Sequence, residues 1–235
     1  MLPVAILAGG LATRIRPLTE KIPKSLIEVA GRPFIEYQLK FIHKQGIRNV
    51  VLCLGYQGEL IEEFVGDGSQ YGLNISYSHD GKKLLGTGGS IKKALPLLSD
   101  NFFILYGDSF LPIEFKLVEN FFMKNHLNKS GLMTILSNRN KWDKSNVSYS
   151  NNELVEYNKK NSSSEMSYID YGLSILSKKA FNDYKAKKFF DLADLYHDLS
   201  INDQLLAYEV HERFYEIGSF DGIKDAENYF LKNLQ

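Results

Sequence analysis

Cysteine is all but missing from this 235-residue chain, with Cys53 the only one. A lone thiol makes no internal disulfide, which fits a reducing compartment. Its place inside the apolar run NVVLCLG gives it the role of a small buried hydrophobe. Excess charge is missing too, since 28 Lys and Arg balance 28 Asp and Glu. No global field therefore favours nucleic acid or an anionic membrane, and any anion site must be local. Long apolar runs are also lacking, because glycines cut short the first one and no basic segment precedes it. We expect neither a signal peptide nor a membrane span, and a cytoplasmic protein. There is no internal repeat and no hexapeptide array of the kind that builds a β-helix. His43, His79, His126, His197 and His211 show no HExxH or clustered ligand spacing, and no Ser-His-Asp elbow is present. These histidines read as structural or surface residues.

What is there is ample core material. The chain is 44% hydrophobic, and its length suits one large α/β domain. In the first half, strand-like and helix-like stretches alternate: PVAILAG, then PFIEYQLKFIHKQG with Ile35, Leu39 and Ile42 at helical spacing between Pro33 and Gly46, then RNVVLCLG, QGELIEEFVGDG, LNISYSH, SIKKALPLL and NFFILYGD. Short connections between such units predict right-handed βαβ crossovers and a mostly parallel sheet. The second half is less regular. GLMTILS, NVSYS, ELVEY, YIDYGLSIL and LLAYEV read as strands, some antiparallel, KKAFNDY and DLADLYHDL as helical, and FDGIKDAENYFLKN as an amphipathic terminal helix. KKNSSSE is a loop too short to be a domain linker. We expect a single domain over 1–235, with a nucleotide-type half (1–112) and a second half (113–235) that caps it.

The residues with chemistry cluster first in LAGGLATRIRPLTEKIPKSL, residues 7–26. In open α/β sheets, ligands sit at the carboxyl ends of the strands. Gly9 and Gly10 follow the first strand at that edge, where a missing Cβ lets backbone N–H groups approach a phosphate or base. Arg14 and Arg16 can fork onto phosphate oxygens, and Pro17 and Pro23 stiffen the loop that delivers Lys24. No GxxxxGK[ST] and no GxGxxG is present, so P-loop and dehydrogenase readings both fail. Asp108 ends the apolar run FFILYGD at the same predicted edge, where an isolated Gly-Asp reads as a turn aspartate that caps the next segment.

The opening loop resembles the signature of the sugar-1-phosphate nucleotidyltransferases, roughly GGxGTRxxPLTxxxPK, with one departure, Ala12 in place of Gly. The likeness continues through GRPFIEYQL, VGDGSQYGLNISY, LLGTGG, ILYGDS and FYEIGS, over nearly the whole chain. The resemblance implies a three-layer, Rossmann-like α/β fold with a mainly parallel mixed sheet. It implies an Mg²⁺-dependent enzyme in which a sugar 1-phosphate attacks the α-phosphorus of a nucleoside triphosphate, GTP or UTP, and pyrophosphate leaves. Arg14 would then hold the pyrophosphate and Lys24 would neutralise the phosphates as they meet. Leu7, Ala8, Gly9, Gly10, Thr13, Gly86, Thr87 and Gly88 would lie against the nucleotide. Asp108, itself also at the nucleotide, and Glu216, where the family usually has Asp, would hold the metal. Lys160 or Lys159, with Asp170 in place of the family's Asn and the retained Gly172, would meet the sugar phosphate. The shortness of the chain resembles guanylyltransferases for mannose- or heptose-type sugars, and nearly as closely an N-acetylmuramate-1-phosphate uridylyltransferase. Such an enzyme would work as a monomer or homodimer and feed a surface glycan. A cytidylyltransferase for a non-sugar phosphate such as phosphocholine, and a regulatory subunit that binds nucleotide sugar without turnover, are the alternatives.

Overall fold

The computed structural model describes residues 1–233. Its front half runs β1 (Val4–Leu7), the short pair β2 (Glu28–Val29) and β3 (Arg32–Pro33), α1 (Phe34–Lys44), β4 (Asn49–Leu54), α2 (Gly58–Val65), β5 (Asn74–His79), α3 (Gly86–Ala94) and β6 (Asn101–Tyr106). The rest runs β7 (Ser109–Phe110), α4 (Phe115–Asn125), β8 (Gly131–Ser137), β9 (Val147–Ser150), β10 (Glu153–Tyr157), β11 (Tyr168–Ser177), α5 (Leu192–Ile201), β12 (Leu205–Val210), β13 (Tyr215–Glu216) and α6 (Phe220–Asn233). The predicted elements are all found, although KKAFNDY forms a 3₁₀ rather than an α-helix. Helix α4 went unread in the sequence, yet its buried Phe115, Val118 and Phe122 carry a helical repeat.

Nine strands form one sheet in the order β12-β8-β11-β6-β1-β4-β5, with the β9–β10 hairpin joined beside the start of β11 through the Tyr168–Val147 pair. β6, β1, β4 and β5 are mutually parallel, and Ala5 lies opposite both Val51 and Ile104. β11 is antiparallel to both β6 and β8, and β8 runs parallel to β12. One continuous sheet thus spans both halves of the chain.

Alternation along the strands builds two cores, one on each face. Val4, Ile6, Val50, Leu52, Phe103 and Leu105 point to the face covered by α1, α2 and α4. Ala5, Val51, Cys53, Phe102 and Ile104 point to the face covered by α3 and α5. The result is the expected three-layer α/β architecture. A third cluster sits apart, where Phe230 and Ala226 of α6 pack on Phe34, Tyr37, Phe110, Ile15 and Ile217. It ties the opening loop and the β7–β13 pair to the terminal helix. No helix among the described residues is long and apolar enough to cross a membrane.

Candidate active site

From β1 the chain winds outward through β4 and β5, then returns to the other side of β1 as β6. Loops leaving β1 and β6 diverge at that reversal, which is where open α/β sheets bind ligands. A cleft of about 260 Å³ lies there, at the carboxyl ends of the parallel strands. Leu7, Ala8, Gly9, Gly10, Lys24, Gly86, Thr87 and Asp108, all expected from the sequence, line it.

The floor of the cleft depends on close backbone contact. A Cβ on Gly9 would stand 2.7 Å from the Gly55 nitrogen, and one on Gly107 would stand 2.8 Å from the Leu7 oxygen. Gly107 N–H donates to that same oxygen at 2.9 Å. Gly10 differs, since nothing lies within 4 Å of where its Cβ would be, so its backbone faces open space. Ala12 occupies the left-handed region at φ 47°, which explains why the related motif prefers glycine there. Thr19 Oγ1 holds this turn by donating to the Ala12 carbonyl at 2.8 Å.

The cations gather at one end. Lys24 Nζ donates to Asp108 Oδ2 at 2.9 Å, with the two side chains 16% and 33% exposed. Arg14 is exposed, and its Nη2 lies 3.6 Å from the Cβ position of Gly218, while Lys24 Nζ lies 3.5 Å from the same point. Thr13 and Arg14 belong to a 3₁₀ turn anchored by the buried Ile15. Two cations from one loop therefore meet the Asp108 strand end and the 216–218 turn. The pairing of β7 with β13 sets Glu216 opposite Ser109, and Ile217 N–H donates to the Asp108 carbonyl at 3.0 Å. The Glu216 carboxylate accepts from Gly218 N–H and from Ser219 Oγ, so it closes the turn that leads into α6. Asp221 stands in the first turn of α6, where the helix dipole favours an acid.

The LLGTGG loop departs from its expected use. Gly88 N–H and Gly89 N–H both donate to the Phe190 carbonyl, at 3.0 and 3.3 Å. A Cβ on Gly88 would fall 2.2 Å from the Phe190 ring, and one on Gly89 2.6 Å from the Lys188 oxygen. Gly88 is thus turned away from the cleft: its amide is already bonded, and its small size serves packing against the 188–190 segment. Gly86 and Thr87 remain at the cleft. Thr87 Oγ1 donates to Asp191 Oδ1 and accepts from Leu192 N–H, which fastens this loop to the N-terminus of α5.

At the sugar-side candidates, β11 carries an irregularity. Asp170 pairs with Ile135 and Ser174 with Met133, so three residues of β11 face one of β8. Gly172 sits in it at φ +107°, which a side chain would disfavour, and its N–H donates to Asp170 Oδ1 at 3.0 Å. Burial pushes the Asp170 carboxyl up to about 6, opposed by the Gly172 N–H and the Lys159 charge. The Asp170 charge in turn helps burial raise the Tyr106 phenol well above its ordinary range. Lys159, Asp170, Gly172 and Tyr106 accordingly form one neighbourhood at the cleft. Lys160 does not join it. Its ammonium is paired with Asp194 in an exposed position.

Sequence reasoning passed over Ser25, Asp80, Ser90 and Tyr106, which also line the cleft. Asp80 and Tyr106 stand at the carboxyl ends of β5 and β6, a position that could have identified them. Ser25 and Ser90 carry no comparable signal.

The family model described as nucleotidyl transferase matches residues 4–188. The chain belongs to that family. This nucleotidyltransferase is 32% identical over 190 residues to the D-glycero-alpha-D-manno-heptose 1-phosphate guanylyltransferase of Campylobacter jejuni, a match that covers 80% of the chain and 82% of the relative. It is 42% identical over 111 residues to the N-acetylmuramate alpha-1-phosphate uridylyltransferase of Neisseria meningitidis, covering 47% and 48% of the two chains. In fold it is similar to HddC from Yersinia pseudotuberculosis, solved in complex with GMP-PN, at 23% identity and a TM-score of 0.76 over 98% of this chain and 100% of that one. A Bacillus anthracis protein described as a putative glucose-1-phosphate thymidylyltransferase superposes with a TM-score of 0.85 at 19% identity, over 97% and 95%.

Proposed function

We propose that this nucleotidyltransferase transfers a nucleoside monophosphate from a nucleoside triphosphate to a sugar 1-phosphate, with release of pyrophosphate. The observation that carries the proposal is the Lys24–Asp108 pair at the topological switch point, with Arg14 beside it. In such a transfer an oxygen of the sugar 1-phosphate attacks the α-phosphorus and pyrophosphate departs in line. Catalysis then rests on positioning and on charge neutralisation. Lys24 leaves Asp108 for the phosphates as negative charge accumulates, Arg14 holds the leaving pyrophosphate, and the open Gly10 backbone lies along the nucleoside. The front half of the chain supplies these groups, and Asp170, Gly172 and Lys159 of the back half face the sugar phosphate.

The donor set suits Mg²⁺ among metal ions. It consists of hard carboxylates, Asp108 and, through the 216–218 turn, Glu216, and among the described residues no group of three or more His, Cys, Asp or Glu converges. Asp108 would hold the ion directly. Glu216, whose two oxygens already accept protein hydrogen bonds, would act through a water. When bound, Mg²⁺ supplies charge neutralisation on the triphosphate.

Guanylyl transfer to a heptose- or mannose-type 1-phosphate is favoured by the Campylobacter relative, which matches most of both chains. Uridylyl transfer to N-acetylmuramate 1-phosphate is the second reading, favoured by the higher identity to the Neisseria enzyme over about half the chain. A phosphocholine-type acceptor needs an open aromatic cage for its quaternary ammonium. Near Asp170, however, Tyr157 and Tyr196 are fully buried, packed edge to face, and the Tyr196 hydroxyl is bonded to Ser174. We further propose that the product is an activated sugar for a surface glycan, made in the cytoplasm. A matrix of nucleoside triphosphates against sugar 1-phosphates, read by pyrophosphate release with Mg²⁺ present, is the test. GTP with a heptose or mannose 1-phosphate should give the highest kcat/KM, and Lys24→Ala should lower kcat by about a hundredfold or more. Turnover by Lys24→Ala at the wild-type rate would remove the phosphate role of this loop.

A further inference from the structure

One buried polar side chain stands just behind the wall of the cleft. Gln38 is 2% exposed and lies on α1, whose buried face also carries Phe34, Ile35, Leu39 and Ile42. Its Nε2 donates to the Tyr106 carbonyl at 2.9 Å and to the Ser109 carbonyl at 2.7 Å. Both amide hydrogens are thus used, one on each side of Gly107 and Asp108. Reversing the amide would set its oxygen against two carbonyl oxygens, so the NH₂ group faces the turn. Oε1 then has no partner among the described residues. A buried acceptor left over in this way is a cost, which an apolar residue on this face of α1 would not carry. What the glutamine contributes is its two donors.

The turn it grips is the one that carries Asp108. All four carbonyls from Tyr106 to Ser109 are held by distant segments. Gln38 takes the first and the last. The Ser25 hydroxyl reaches the Gly107 oxygen at 3.3 Å, and Ile217 N–H reaches the Asp108 oxygen at 3.0 Å. Ser25 follows Lys24 in the opening loop, and Ile217 follows Glu216, so both come from segments at the phosphate end of the cleft. Gln38 comes instead from a helix packed into the core, and it bridges the turn from end to end. Asp108 is presented from this turn to Lys24 Nζ at 2.9 Å. A carboxylate that passes from a lysine to a metal ion must keep its direction while its partners change, and a core helix supplies the fixed reference.

We infer that Gln38 is a positioning residue for the transfer, whose amide, by bridging the carbonyls of Tyr106 and Ser109, fixes the turn that aims Asp108 at the phosphates and their metal ion. This rests on the nucleotidyl-transfer reading and extends it to a residue outside the cleft. The test measures binding as well as rate. GTP and, in parallel, UTP are titrated calorimetrically, in Mg²⁺ and in EDTA, into wild type, Gln38→Met and Gln45→Met. Gln45 is the matched control at the C-terminal end of α1, since it too bonds backbone, the Ile113 carbonyl at 3.1 Å and Phe115 N–H at 3.0 Å. In wild type, Mg²⁺ should strengthen triphosphate binding through Asp108. Gln38→Met should lose most of that gain, about tenfold, with binding in EDTA unchanged. Its kcat, with the substrate pair that the matrix above selects, should fall about ten- to a hundredfold. Gln45→Met should melt lower than wild type and keep both the Mg²⁺ gain and kcat. Gln38→Glu keeps the shape, and burial holds its carboxyl protonated with one O–H to donate, so it should fall between wild type and Gln38→Met. A folded Gln38→Met or Gln38→Glu protein with the full Mg²⁺ gain overturns the assignment. Equal losses in Gln45→Met do so as well, because the effect would then belong to helix stability. If neither Gln38 variant folds, the glutamine serves stability and the assignment falls. Wild-type protein that binds triphosphate equally in Mg²⁺ and EDTA removes the metal from Asp108, and this inference with it, while nucleotidyl transfer stands. Failure of wild type to bind either triphosphate sinks the transfer reading and the inference together.

Discussion

Asp170 shows how much a single residue can cost the fold for the sake of the cleft. Its carboxyl rises from an ordinary value of 3.8 to about 6 because burial penalises the charged form, and the Gly172 N–H and Lys159 only partly offset this. The sign follows directly. Below about pH 3 the group is neutral in both folded and unfolded chains and costs nothing. As the pH rises towards 6 the unfolded chain releases the proton first, so wild-type protein loses stability, and above that the loss is constant. The gap corresponds to about 2–3 kcal/mol once partial exposure is allowed for. Asp170→Asn keeps the acceptor for Gly172 N–H and removes the penalty. Its melting temperature should therefore gain on that of the wild type between about pH 3 and pH 7 and then run parallel. A difference that does not change with pH would show that the carboxyl is not held in this way.

At the scale of elements, the N-terminus of α3 is fixed by its neighbour. By resemblance, Gly86, Thr87 and Gly88 of the LLGTGG stretch are expected against the nucleotide. The fold instead packs Gly88 and Gly89 under the 188–190 segment, which approaches from the far half of the chain. Gly88→Ala should thus act first on stability. The added methyl would fall 2.2 Å from the Phe190 ring, and relief by backbone shift costs about 1–3 kcal/mol. Thermal melts of Gly88→Ala, Phe190→Leu and the double variant are the check, with the double variant recovering part of the loss. A Gly88→Ala protein that melts with the wild type would return this glycine to its expected place against the nucleotide. Helix α4 carries a different lesson at this scale. Its Phe115–Val118–Phe122 repeat was available to read, whereas the two-residue pairing of β7 with β13, which brings Glu216 to Asp108, leaves no periodicity to find.

For the whole molecule, the two halves share one sheet, because β11 from the second half pairs with β6 from the first. Such a sheet should unfold in one step. Trp142, the only tryptophan, belongs to the second half, and the Arg213 guanidinium stacks over its ring at 4.0 Å. Its fluorescence and the far-UV circular dichroism of all the strands and helices should trace the same denaturation midpoint. Separate midpoints would mean that 1–112 and 113–235 fold as distinct units.

The sequence by itself determined the alternating elements of the front half, the loop with Arg14 and Lys24, and Asp108 at a strand end, since local spacing and strand-end position encode all of these. The tertiary structure decided which of the remaining residues reach the cleft. Lys159 and Lys160 are adjacent, yet one lies beside Asp170 and the other is paired with Asp194. Gly86 and Gly88 are two apart, yet one lines the cleft and the other lies under Phe190. Adjacent positions carry the same local signal, and only the packing of distant segments against them, Phe190 on α3 and α5 beside Lys160, separates their fates.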